Sequence, residues 1–216
     1  RGLGDVYKRQ LGILRMLIEK ELPLSLDKLI AIGTEEESVV PGVKDATEEL
    51  KQFFHDRLRV MQKDQGFTAH EVESVIGSEP AILADVPKRL KAVHDFMSLP
   101  EAESLAAANK RIENILKKNT LPLADAVDPA LLTEKEEKDL YEAIRTLEPK
   151  LEADYKAGRY EDELRSLAPL KAPVDAFFDK VMVNAEDEAL RRNRLTLLNE
   201  LHKAMNQVAK LSCLAS

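Results

Sequence analysis

Two of the four histidines stand directly before an aspartate, His55-Asp56 and His94-Asp95, and a His-Asp pair is the unit with which metal-dependent phosphohydrolases hold a divalent ion. One pair supplies too few donors, because such an ion needs further His and carboxylate ligands from other elements. Neighbours on a helix also project about 100° apart, so neither pair is a natural chelate. Cys213 is the only cysteine; it can form no internal disulfide and has no second thiol for a zinc site. No Gly-rich phosphate loop, Gly-x-Ser-x-Gly elbow or His-Glu-x-x-His helix occurs. The residues therefore predict no catalytic group and no metal site.

Basic clusters stand out more clearly. Lys110, Arg111, Lys117 and Lys118 crowd one predicted helix end, where Arg111, Asn114 and Lys118 fall at i, i+3 and i+7 and share a face. Cations in a last turn also suit the helix dipole, so spacing alone leaves a purely structural role open. Arg191-Arg192-Asn193-Arg194 lies near a predicted helix start, where the dipole disfavours cations, although Glu186, Asp187 and Glu188 could offset them. Arg57-Leu58-Arg59 lies between Lys51 and Lys63, but residues two apart cannot share a helical face. The candidate RNA-phosphate or partner-binding residues are thus Arg57, Lys110, Arg111, Asn114, Lys117, Lys118, Arg191, Asn193 and Arg194. Phe177-Phe178 could stack on bases, but beside Val174 and Val181 a core role is expected. A formal charge of −7 and a pI near 5.3 argue against a general DNA binder, because any polyanion must find a local basic face.

Helices must position these groups. With 44% hydrophobic and 33% charged residues and only 8 glycines, the composition is that of an all-α multi-helix bundle. The pattern predicts short helices at 11–20 and 24–32, then a linker at 33–44 rich in glutamate and containing Pro41-Gly42. A helix from Asp45, capped by the Asp45/Glu48 spacing, runs to Gly66, followed by helices at 69–76 and 80–97 with a break at Pro87, and by one that Ser98 and Glu101 open and that runs to about Lys118. Beyond a proline-containing loop, Thr133 and Glu136 cap a helix that Pro149 ends; helices follow at 151–156, 160–167 and around Phe177, and a last one spans 188–211. Val181-Met-Val183 is the only strand-like run and is too short to compete. Arg1 to Gln10 reads as a non-native leader, and no apolar run is long enough for a membrane span.

Phe53-Phe-His-Asp-Arg-Leu-Arg59, Ala106-Ala-Ala-Asn-Lys-Arg-Ile-Glu-Asn-Ile-Leu-Lys-Lys118 and the long stretch Val174 to Leu198 together resemble the C-terminal region of bacterial glycyl-tRNA synthetase β subunits. Asp187-Glu-Ala-Leu-Arg191 also resembles the Asp-Ala-Leu-Arg signature of helical (DALR-type) anticodon-binding domains. Departures are His55 and Asn184, where the family has an apolar residue and a methionine, and a loosely matching tail at 208–214. The resemblance implies that 11–32 is the tail of an HD-like domain and that 45–216 is the anticodon-binding domain. It further implies tRNA-Gly and the synthetase α subunit as partners in an α/β hetero-oligomer in the cytoplasm, with neither membrane nor DNA among them. ATP and Mg would serve the α subunit, leaving this part of the ligase without a cofactor and non-catalytic. The competing readings are a non-catalytic protein-interaction bundle and a fragment of an HD-type metal phosphohydrolase.

Overall fold

The structure, a computed structural model, describes residues 2–25, 28 and 43–216, with side chains described at 8, 12–25, 28 and 51–216. The expected helix at 24–32 and the linker at 33–44 fall almost wholly outside the described residues. Among the described residues every regular element is a helix, and the one β-type pairing is an isolated bridge between Ser25 and Ile82. This is the all-α bundle that the composition predicts. The chain divides into two compact units, one up to Lys91 and one from Ala92 to Ser216.

The first unit contains α1 (Gly2–Glu19), α2 (Val43–Asp64), α3 (Ala69–Ile76) and the start of α4 (Val86–Phe96). No proline interrupts residues 2–19, so α1 reaches back to Gly2 instead of starting at Leu11. It buries Leu14, Leu17 and Ile18 against the 3-10 turn Leu83–Asp85. α2 begins ahead of Asp45, which therefore lies inside the helix rather than at its cap. Gly66 follows α2 at φ +92°, a conformation glycine adopts without a Cβ penalty. Thr68 and Glu71 form a reciprocal capping box that starts α3, and Arg59 of α2 clamps Glu73 of α3 through two hydrogen bonds of 2.6 and 3.3 Å. Pro87 sits in the first turn of α4, where no N–H is required, so it starts this helix instead of breaking one.

The second unit is built on α5 (Ala102–Lys118), α6 (Lys135–Lys156), α7 (Tyr160–Arg165), α8 (Lys171–Lys180) and α9 (Glu188–Met205). Its core gathers Leu105 and Ile112 of α5, Leu140, Ile144 and Leu151 of α6, Leu164, Val174, Phe177 and the Leu197, Leu198 and Leu201 stripe of α9. α6 packs on α7, α8 and α9; α5 packs on α8, α9 and the turn Leu211–Leu214. Two expected boundaries move. α6 runs through Pro149, whose ring lies on the exposed side of the helix, where a carbonyl that loses its N–H partner costs less than it would in the core. α9 stops at Met205 instead of continuing to 211, because the Asn206 amide donates to the His202 carbonyl at 2.6 Å and accepts from Leu211 N–H at 3.1 Å.

Candidate nucleic-acid interface

α5 is two-faced. Leu105, Ala108 and Ile112 are buried, while Ala107, Lys110, Arg111, Asn114 and Lys118 recur at three- and four-residue intervals on the exposed side. That stripe lines a shallow hollow of about 330 Å³. Adjoining it, and sharing Ile115 and Lys118 with it, is a second hollow of about 460 Å³. There Lys118, Asn119 and Thr120 from the end of α5 meet Asn184 and Arg191. Residues 73 positions apart in sequence, Lys118 and Arg191, thus line one concavity.

The charge is held differently along this face. The Arg111 guanidinium lies 4.2 Å from the centroid of the Phe178 ring, a cation–π contact, and the residue remains exposed. Among the described residues, Lys110, Lys117 and Lys118 enter no ion pair, and Lys117 and Lys118 lie in the last turn, where the dipole favours them. Lys117 is exposed but lines neither hollow. The Asn119 side chain closes the helix end by donating to Leu121 O at 2.6 Å and accepting from Leu121 N–H at 2.9 Å. Arg57 lies in the first unit, its guanidinium 5.1 Å from the centroid of the Phe53 ring.

The Arg191–Arg194 run separates into three environments. Arg191 reaches the second hollow and also donates to the Ala185 carbonyl at 3.3 Å. Arg192 pairs with Glu188 one turn back, at 3.1 Å. Arg194 is only 5% exposed and pairs with Glu137, a fully buried carboxylate, while donating to Met182 O at 2.7 Å and Thr133 Oγ1 at 3.3 Å. Asn193 is likewise buried: it donates to Asp128 O at 3.1 Å and accepts from Asp128 N–H at 2.8 Å. Arg194 and Asn193 therefore leave the set of residues offered to a phosphate. Their spacing suggested an open helix face, but α9 is enclosed by the loops on either side of it. Asn193, Thr196 and Glu200, at i, i+3 and i+7, accept the N–H groups of Asp128, Ala124 and Val127.

Sequence reasoning placed Phe178 in the core with Phe177. Only Phe177 is fully buried; Phe178 is half-exposed and carries Arg111. Asn119, Thr120 and Asn184 were not singled out as site residues, and short polar side chains flanking a helix end gave no signal beyond their polarity. Among the described residues no three His, Cys, Asp or Glu side chains gather to hold a metal ion, and no helix is long and apolar enough to cross a membrane.

Residues 105–212 match the family model of the DALR anticodon binding domain. Across 97% of its length the chain is 51% identical to the glycine–tRNA ligase β subunit of Delftia acidovorans and 49% identical to that of Dechloromonas aromatica, covering 29% of each. It is 46% identical to the same subunit of Nitrosomonas eutropha, covering 31% of it. The chain thus spans less than a third of the length of these relatives.

Proposed function

Because the chain belongs to the DALR anticodon-binding domain family, we propose that it holds the anticodon arm of tRNA-Gly on the exposed face of α5 and the adjoining start of α9, as part of a glycine–tRNA ligase β subunit. The observation that carries this is the convergence of Lys110, Arg111, Lys118 and Arg191 around two adjoining hollows in a chain whose net charge is −7. An acidic molecule repels RNA except where cations gather, so the location of binding follows from local charge and not from composition.

Each group has work suited to it. Lys110, Lys118 and Arg191 supply charge-assisted hydrogen bonds to phosphate oxygens, which set register without reading sequence. Arg111, held over the Phe178 ring and exposed, offers a guanidinium on which an unstacked base can lie. Asn114, Thr120 and Asn184 present polar side chains that can reach base edges or ribose hydroxyls in the hollows. Aminoacylation itself, with ATP, Mg and glycine, belongs on this reading to the synthetase α subunit, the partner in an α/β assembly.

The test is binding of tRNA-Gly against an unrelated tRNA across a salt series, with the native chain and with a Lys118→Gln/Arg191→Gln double variant. Preferential binding that weakens with salt in the native chain, and a reduced salt dependence in the variant, are expected. Equal binding of both tRNAs, or a variant indistinguishable from native, would overturn this assignment.

A further inference from the structure

Arg194 is a cation removed from water and held by a network larger than an ion pair requires. One oxygen of Glu137 accepts from its guanidinium; the other accepts the N–H groups of Thr133 and Glu134, both at 2.9 Å, at the start of α6. The two remaining arms of the guanidinium reach Thr133 Oγ1 and the Met182 carbonyl. A fully buried ion pair gives little net stability, because the desolvation of both charges offsets their attraction. What a planar five-donor fork does give is geometry, since its donors are spread over three nitrogens in one rigid plane, whereas the three donors of a lysine radiate from a single atom.

The partner that matters is Met182. It opens the irregular segment 182–187 between α8 and α9, which carries Asn184, a wall of the larger hollow. The segment hangs from α9 by side chains: Arg194 holds Met182 O and Arg191 holds Ala185 O, so the two carbonyls flanking Asn184 are gripped from one helix face, at i and i+3. Between those grips Asn184 is exposed, and among the described residues it enters no hydrogen bond of its own.

We propose that Arg194 is a positioning residue of the RNA site: by tethering Met182 to the start of α6 it sets where Asn184 stands in the hollow, without touching RNA. The inference rests on the anticodon-arm reading given above. It places a determinant of RNA affinity in the interior of the bundle, where charge alone would suggest only a fold-stabilising pair.

The experiment measures tRNA-Gly affinity and its salt slope for the native chain, Arg194→Lys, Asn184→Ala and the double variant, with the thermal unfolding of each. Arg194→Lys keeps the charge beside Glu137 but cannot span to Met182. It is expected to lose affinity by roughly three- to tenfold, the worth of one well-placed hydrogen bond, at an unchanged salt slope. Asn184→Ala should lose a similar factor, and the double variant should lose no more than the larger single loss, because both act through one side chain. Because lysine would neutralise a phosphate as arginine does, the slope is also read in an Arg194→Gln/Glu137→Gln variant, where a value lowered by about one counterion would make Arg194 a phosphate ligand and overturn the proposal. Unchanged affinity, or losses that multiply in the double variant, would reduce it to a structural pair and overturn the proposal equally. If Arg194→Lys does not fold, the Arg194→Gln/Glu137→Gln variant takes its place, removing the reach to Met182 without leaving a buried charge unpaired; a native affinity there also counts against the proposal. Failure of the native chain to prefer tRNA-Gly would instead defeat the anticodon-arm reading and this inference with it.

Discussion

Within one turn of α9, three guanidinium groups of the same chemistry have three environments, and substitution should separate them. Changing Arg192 to Gln removes a half-exposed i, i+4 pair with Glu188, worth at most about 0.5 kcal/mol, and both melting temperature and tRNA affinity should stay near native. Changing Arg191 to Gln should weaken tRNA binding and lower its salt slope by about one counterion. His55 carries a different expectation, because burial first, and then the neighbouring Arg59 guanidinium, push its pKa below the usual imidazole range. The unfolded chain then binds a proton that the folded unit resists, so the contribution of this histidine to stability is fully present above about pH 6.5 and is lost as pH drops through the lower folded value. Urea titrations at pH 7.5 and 5.5 should show that loss in the native chain and a smaller one in His55→Gln; equal losses would remove this histidine from the account.

At the scale of elements, α6 contains a proline that propensity says should have ended it. Interior proline costs about 3 kcal/mol relative to alanine, offset by up to about 1 kcal/mol from its stiffening of the unfolded chain. Pro149→Ala should therefore stabilise the second unit by about 2 to 3 kcal/mol, read as a higher urea midpoint. Asn193→Ala should do the reverse, costing about 1 to 3 kcal/mol by leaving the Asp128 N–H and carbonyl without their partner. These positions also show what could be read in advance. α5, with Leu105 and Ile112 inward and Lys110, Arg111 and Lys118 outward, was legible from periodicity, because burial on one face leaves a 3.6-residue trace. α9 was not legible in the same way. It is enclosed by the loop 119–132, the segment 182–187 and the core, so polar side chains such as Asn193 and Arg194 point inward and satisfy backbone groups. A polar residue at helical spacing looks the same in sequence whether it meets water or a carbonyl. The continuation of α6 past Pro149 was hidden for a related reason, since the penalty depends on which side of the helix faces solvent. The basic stripe could be named, but its pairing with Arg191 needed the tertiary contact between α5 and α9.

For the whole molecule, net charge and site charge oppose one another, and the balance is measurable. If Lys110, Lys118 and Arg191 each neutralise one phosphate, the slope of log affinity against log salt should be about −2 to −3. Duplex DNA of similar length should bind much more weakly, because its charge meets the acidic remainder of the surface and offers no unstacked bases to Arg111. A slope near zero, or DNA binding equal to that of tRNA-Gly, would place the interface elsewhere. Separately, the turn Leu211–Leu214 that packs on α5 has a kinetic corollary. Leu211 is wholly buried there, and Ser216 Oγ donates to Glu103 across 113 positions of chain. α5 can therefore complete its inner contacts only after every intervening residue has left the ribosome. Such high contact order predicts slow refolding of the second unit relative to a simple up-and-down bundle, with amides of α5 among the last to gain protection from solvent exchange.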